Sequence, residues 1–216
     1  RPPAAGRAAC VTIRAMAEQY DAVIVGGGIA GSGLGTVLAR AGKSVLTLEK
    51  TLAFEDIVRG EWIAPWGVVE AMRTGLYDVL RGANDYHIPR HIEYGDGLDP
   101  ATGESRALLL ALLPGVAGPL SVGHPQACQA LFDAATAAGV SARRGVSDIV
   151  VESGPAPRVR YTMDGATREA QARLIIGADG RGSVVRRQAG IALHQEKTHH
   201  YFAGMWGIWR VFDTLQ

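Results

Sequence analysis

Residues 20–49 read YDAVIVGGGIAGSGLGTVLARAGKSVLTLE. The stretch parses as a strand, a glycine turn, a helix and a second strand ending on an acid. Asp21 to Val25 is a short apolar run, the pattern of a strand buried on both faces. Gly26, Gly28 and Gly31 fit G-x-G-x-x-G. In that motif the first glycine permits the tight turn and the second lets a diphosphate approach the backbone. The third lets the helix lie close to the strand. The helix opens near Ile29 and Ala30, with N-terminal amides aimed at an anion. Leu34, Val37 and Leu38 supply its expected packing stripe, and Gly42 stands at C′. Ser44 to Leu48 is a second strand, ending at Glu49 with Lys50 beside it. Glu49 lies at the spacing where an acid accepts from the adenosine ribose of a dinucleotide. The competing reading is a glycine-rich turn with no ligand.

Outward from this unit, the 216 residues can bury a sizeable core. A net charge of +1 and the lack of a basic cluster argue against nucleic acid as a partner. The pairs Arg143-Arg144 and Arg186-Arg187 read as solvated faces or single phosphate contacts. No apolar run reaches membrane-spanning length. Cys10 and Cys128 form no C-x-x-C spacing and no disulfide framework, so a reduced, cytoplasmic compartment is expected. Cys128 lies within an apolar helical pattern and reads as core. Residues 1–15 read as a leader, linker or transit-like segment before a natural start at Met16.

Pro65 can begin a helix carrying Val68, Val69, Met72, Leu76 and Val79, which Gly75 weakens or ends. His91 to Tyr94 and Arg106 to Leu113 read as strands separated by the turn-rich GDGLDPATGES. A second helix spans Pro125 to Ala138, with Ala127, Leu131, Phe132 and Ala135 on one face. Gly145 to Glu152 and Val159 to Met163 read as strands, and Asp164-Gly165 as a two-residue hairpin turn. Arg168 to Arg173 leads to a buried-type strand, Leu174 to Ile176, which runs into Gly177-Ala178-Asp179-Gly180. Ser183 to Gln188 reads as a short helix, and Tyr201 to Phe212 as one more strand. A carboxylate and a glycine turn at the C-terminal edge of a parallel sheet suit a ligand. Asp179 then either accepts from sugar hydroxyls or caps the helix after Ser183. The expected fold is α/β, with a discontinuous nucleotide-binding domain over 16–80, 120–150 and 170–190. A β-rich part of a second sheet is expected over 81–119 and 191–216.

Three segments together resemble the flavoprotein monooxygenases of the para-hydroxybenzoate hydroxylase type. They are GGGIAGSGLG with Glu49, GADGRGSVVRRQAG, and HPQACQALFDAATAAG. The second is similar to the family signature G-A-D-G-x-x-S-x-V-R at Gly177, Ala178, Asp179, Gly180, Ser183, Val185 and Arg186. In the third, His124 stands where the family usually has arginine. Arg59 resembles an arginine that the family places near the flavin. The resemblance implies a Rossmann-like FAD-binding domain of the GR2 type with an inserted substrate domain. It implies FAD held by Gly26, Gly28, Ile29, Ala30, Gly31, Glu49, Lys50, Arg59, His124, Asp179 and Gly180. NADPH or NADH would reduce the flavin, and O2 would be taken up as a C4a-hydroperoxide that hydroxylates an aromatic or related small molecule. The hard chemistry is then the cofactor's, so no catalytic side chain is assigned. The family's further Gly-Asp signature is not found in the 216 residues, which points to a fragment, a homodimer or a complementing C-terminal half.

Two other functions share the same fingerprints: a flavoprotein reductase of the geranylgeranyl-reductase type, and a non-catalytic nucleotide-binding fragment. Ser32 stands where flavin halogenases carry tryptophan, which argues against a halogenase. Trp62 and Trp66 flank Pro65, where they either line a cavity above the flavin or pack around the helix start. Glu61 either pairs with Arg59 or a ring hydroxyl or is a first-turn helix acid, and Trp206 and Trp209 read as packing residues. His194, His199 and His200 lack metal-ligand spacing, and no metal is expected.

Overall fold

A computed structural model describes residues 18–56, 62–83, 85–92, 97, 99–105, 108–109 and 113–197. In chain order the elements begin with β1 (Glu18–Val25), α1 (Ile29–Arg40) and β2 (Val45–Glu49). Then come β3 (Trp62–Ile63), α2 (Pro65–Arg73), α3 (Tyr77–Arg81), β4 (Tyr86–His87), β5 (Arg90–His91), α4 (Pro100–Ser105) and β6 (Leu108–Leu109). The remainder is β7 (Leu120–Ser121), α5 (His124–Ala137), β8 (Ser141–Arg144), β9 (Ser147–Glu152), β10 (Arg158–Met163), β11 (Ala166–Gly177) and α6 (Val184–Gln188).

The main sheet has the order β8-β2-β1-β11-β10-β9. Its β8, β2, β1 and β11 run parallel, and β10 and β9 continue it antiparallel. β1 is interior and reads as the sequence predicted, with Ala22 to Val25 all buried. The sheet is covered on both sides. On one face Ile24 and Val45 meet Ala135 of α5 and Val140. On the other, Val159 and Tyr161 of β10 share a cluster with Val23, Leu46 and Leu48. The antiparallel arm thus folds back over the parallel strands. Burying side chains of this size stabilises by about 1.5–3 kcal/mol each.

α1 differs from its expected packing. Leu34 is exposed, and the buried face is Gly31, Ser32, Gly33, Gly35 and Thr36. The reason is proximity: a Cβ on Gly31 would sit 1.8 Å from the Gly26 carbonyl oxygen. A stripe of leucine and valine would hold the helix too far out. Only Leu38, of the three expected residues, packs partly against the Ile24–Val45 cluster.

Other differences are local. The helix from Pro65 is two helices, because Gly75 has φ +68° and ends the first turn sequence. β11 is one strand rather than two, its first half paired with β10 and its second with β1. β8 carries no apolar run and was not expected as a strand; it pairs parallel to β2 at the sheet edge. Residues 100–105, expected as a turn, form α4. The expected strands near residues 91–94 and 106–113 are reduced among the described residues to the β5–β6 pair. The hairpin at Asp164-Gly165 has positive φ at both residues, as its turn type requires.

β3, β7 and β4 form a separate three-stranded sheet. It joins residues from both sides of the expected boundaries at 80 and 120. Residues 151–169 contribute β10 and the start of β11 to the main sheet. The expected leader at 1–15 and strand at 201–212 lie outside the described residues.

Candidate functional site

Three strand ends converge at Gly26. Its N–H donates to the Leu48 carbonyl of β2 at 2.8 Å, and Ala178 N–H donates to the Val25 carbonyl at 2.7 Å. Gly26 has φ +104°, and a Cβ there would lie 2.4 Å from the Ala178 carbonyl oxygen. The two glycine signatures read from sequence are therefore in direct backbone contact. Gly26 could carry no side chain at this point.

The mouth of the turn is open. A Cβ on Gly28 would meet nothing within 4 Å. Ile29 and Ala30 are exposed, no side chain caps α1, and its first turn holds no acid. The Ser32 hydroxyl turns inward and donates to the Gly27 carbonyl at 2.7 Å. A helix start with free amides and an uncrowded glycine suits an anion.

Glu49 closes one side of this mouth. It is 7% exposed, and its Oε2 accepts the Gly27 N–H at 2.6 Å. Its Oε1 accepts from the Thr51 N–H and hydroxyl, each at 2.8 Å. Lys50 points to solvent. The acid is therefore fixed at the tip of β2, with one lone pair, on Oε2, left for a ligand hydroxyl.

The second signature sits across the turn. The Asp179 Oδ1 accepts the Ser183 hydroxyl at 2.5 Å, while Oδ2 accepts the N–H groups of Val184 and Val185 at 2.5 and 3.2 Å. Burial pushes its pKa up, but the Ser183 hydroxyl and the Val185 and Val184 amides outweigh it and hold the carboxyl below its ordinary value. Of the two roles open to Asp179, capping α6 is the one its described contacts fill. Gly180, at φ +78°, has open space around it.

His124 is the first residue of α5, and its Nδ1 lies 3.1 Å from the Cys128 sulfur. The Ile29 N–H faces that same sulfur. Cys128 is fully buried, as its sequence position suggested, but it also links α5 to the first residue of α1. Burial pushes its thiol up to about 11. Arg59 and Glu61 lie outside the described residues, as do His199, His200, Trp206 and Trp209. Trp62 and Trp66 are more than half exposed, at 53% and 67%, so neither packs around the helix start. Among the described residues no group of three His, Cys, Asp or Glu could hold a metal. No described helix is long and apolar enough to cross a membrane.

The sequence reading missed Arg144. Its guanidinium lies 4.3 Å from the Phe54 ring centroid and 4.6 Å from that of Phe132. It is not on a solvated face. Arg143 is also engaged, donating to the Tyr161 hydroxyl and pairing with Glu18. Arg186 and Arg187 bond the carbonyls of Ile191 and Gly182 at 2.8 and 2.7 Å, fastening both ends of α6. The only sequence signal for Arg144 was its place before Gly145, six residues past the end of a strong helix pattern.

Comparison with known proteins agrees with this geometry. A family model described as an FAD binding domain matches residues 19–213. Squalene monooxygenase SE1 of Panax ginseng is 31% identical over 175 residues, covering 80% of this chain and 32% of that protein. The chain thus spans about a third of that relative's length. Two solved structures share the fold. Anhydrotetracycline hydroxylase OxyS from Streptomyces rimosus has a TM-score of 0.70 at 23% identity, over 84% of this chain and 36% of that one. The p-nitrophenol 4-monooxygenase PnpA from Pseudomonas putida DLL-E4 has a TM-score of 0.70 at 19% identity, over 80% and 44%. With nearly all of its described fold inside the matched span, and with its glycine turn, strand-tip acid and second glycine signature in contact, the chain belongs to the FAD binding domain family.

Proposed function

We propose that the chain forms the FAD-binding part of a monooxygenase that hydroxylates an aromatic or related small organic molecule with NADPH or NADH and O2. The observation that carries this reading is the open turn at Gly28, bordered by the Glu49 carboxylate on the Gly27 N–H. The names of the matched relatives, a squalene monooxygenase and two hydroxylating enzymes, support the reaction class.

The residues fit the cofactor. The backbone amides of Gly28 and Ala30 would hold the diphosphate, with Gly26 and Gly31 shaping the turn and Ile29 tied to Cys128 beneath it. Glu49 would accept from the adenosine ribose, and Lys50 would flank it. Asp179 keeps a lone pair on Oδ1 for a flavin-side hydroxyl, and Gly180 leaves room beside it. His124 would approach the same turn through Cys128 and Ile29. Arg59 is proposed as a further contact from the sequence alone. When bound, FAD supplies the electron transfer and oxygen activation; this chain binds, orients and shields it. A further segment or a second copy would complete the substrate cavity. We place the protein in a reduced, cytoplasmic setting.

The test is direct. Purified protein should be yellow, and denaturation should release flavin absorbance. Substrate-stimulated NADPH oxidation with matching oxygen uptake would mark a hydroxylase. NADPH oxidation without oxygen uptake would favour the reductase, and a colourless protein that takes up no FAD would sink both.

A further inference from the structure

Arg144 is the least satisfied buried group in the described structure. Its Nε and Nη2 are enclosed with no hydrogen-bond partner. Nη1 alone has one, the Gln129 Oε1 at 3.2 Å. The rings of Phe54 and Phe132 meet at 69° with centroids 6.0 Å apart, and each also lies close to the guanidinium. Aromatic faces attract a cation but accept no N–H in the way an oxygen or ring nitrogen does. Enclosed charged donors without acceptors are costly, and their persistence calls for an explanation in function.

Its position supplies one. Arg144 ends β8 and is the register partner of Glu49, which ends β2. Phe132 lies against the guanidinium and close to Gly27. A Cβ on Gly27 would lie 2.9 Å from both the Glu49 Cβ and the Phe132 Cε2. The guanidinium therefore belongs to the strand end next to the acid proposed to hold the ribose, beside the same aromatic ring. Beside the same guanidinium stands Phe54, in the segment that follows β2. Leu52 of that segment is 77% exposed.

We infer that Arg144 recognises the adenine ring of the bound dinucleotide, and that Phe54 holds the base's place beside the guanidinium in the ligand-free protein. This rests on the reading that the glycine turn binds FAD. A purine offers both things the site asks for. Its ring nitrogens carry in-plane lone pairs that can meet Nε and Nη2 edge-on, and its flat apolar face suits the Phe132 wall. A phosphate would satisfy the donors but not the aromatic wall, and Glu49 next door would repel it.

The experiment measures binding of FAD, ADP and FMN to apoprotein by calorimetry, with thermal midpoints taken alongside. Arg144→Met keeps an apolar stem beside the rings, and Arg144→Lys keeps the charge without the planar fork. Both should weaken FAD and ADP at least tenfold and leave FMN, which has no purine, within twofold. Phe54→Ala should tighten ADP severalfold by freeing the face it covers. ADP binding to Arg144→Met within twofold of wild type, or equal losses for FAD and FMN, overturns the inference. If Arg144→Met does not fold, Arg144→Lys and Phe54→Ala decide it by the same ADP-to-FMN comparison. Wild-type protein that binds no FAD would instead overturn the cofactor reading itself, and this inference with it.

Discussion

The Glu49 carboxylate accepts the Gly27 backbone N–H at 2.6 Å, so the acid at the tip of β2 and the glycine turn after β1 form one unit. The same carboxylate also holds Thr51, which sets the path of the chain leaving β2. A ligand hydroxyl meeting Glu49 therefore meets a group already oriented by backbone.

Glu49→Ala should weaken FAD by about 10- to 100-fold, since hydrogen bonds to a charged group contribute roughly 1.5–3 kcal/mol. It should also lower the thermal midpoint of the apoprotein, because the Gly27 N–H loses its acceptor. Fluorescence titration of FAD checks the first effect, and an unchanged dissociation constant would remove Glu49 from the ribose.

Gly28→Ala and Gly31→Ala should separate binding from folding. The Gly28 Cβ enters open space, so the fold should survive while a diphosphate is held off the amides. The Gly31 Cβ would lie 1.8 Å from the Gly26 oxygen, so that variant should lose stability by about 3 kcal/mol or more, or fail to fold. Circular dichroism melts and FAD titration of both variants test the contrast. Equal stability of the two would contradict the described packing.

Asp179 predicts an acid-side loss of stability. Its folded pKa lies below the ordinary carboxylate value of 3.8. The stabilisation is therefore fully present above that value and is lost as pH falls through the folded pKa. Asp179→Asn should flatten the stability profile below about pH 4, and removal of the cap should cost on the order of 1 kcal/mol at neutral pH. Urea melts from pH 2 to 7 would show it. A wild-type profile parallel to that of the variant across this range would refute the assignment.

Cys128 should be inert while the protein is folded. With its thiol pushed up to about 11, little thiolate exists at pH 8. In a Cys10→Ser background, iodoacetamide labelling at pH 8 should be slow in buffer and rapid in urea. Fast labelling of the native protein would mean that the sulfur is neither buried nor engaged by the Ile29 N–H and His124.

The glycine turn and its strand-tip acid were legible because their signals are local. An apolar run, three glycines at fixed offsets and an acid at a strand end lie within residues 20–49. The α1 face was misread because an apolar pattern records what can be buried, not how closely. Here backbone proximity to Gly26 selects glycine, serine and threonine over leucine. β8 escaped because Ser141, Ala142, Arg143 and Arg144 carry no alternation, and the pairing to β2 alone makes them a strand. The Arg144 cluster was out of reach for a different reason. Phe54, Phe132 and Arg144 come from three separated stretches, and only the sheet order brings them together. Asp179 was read as a two-way choice, on which its bonds to Ser183, Val184 and Val185 bear.

The abutment of Gly26 on Ala178 has a consequence for biogenesis. β1 is flanked by β2, its near neighbour in the chain, and by β11, which arrives far later. Until that last parallel strand docks, one hydrogen-bonding edge of the most apolar strand stays bare and the turn lacks its opposing wall. A ribosome-bound intermediate released before residue 177 would therefore be sticky and unable to hold nucleotide. Such non-local closure also makes this a slow-folding topology, in which cofactor capture comes after assembly of the sheet rather than guiding it.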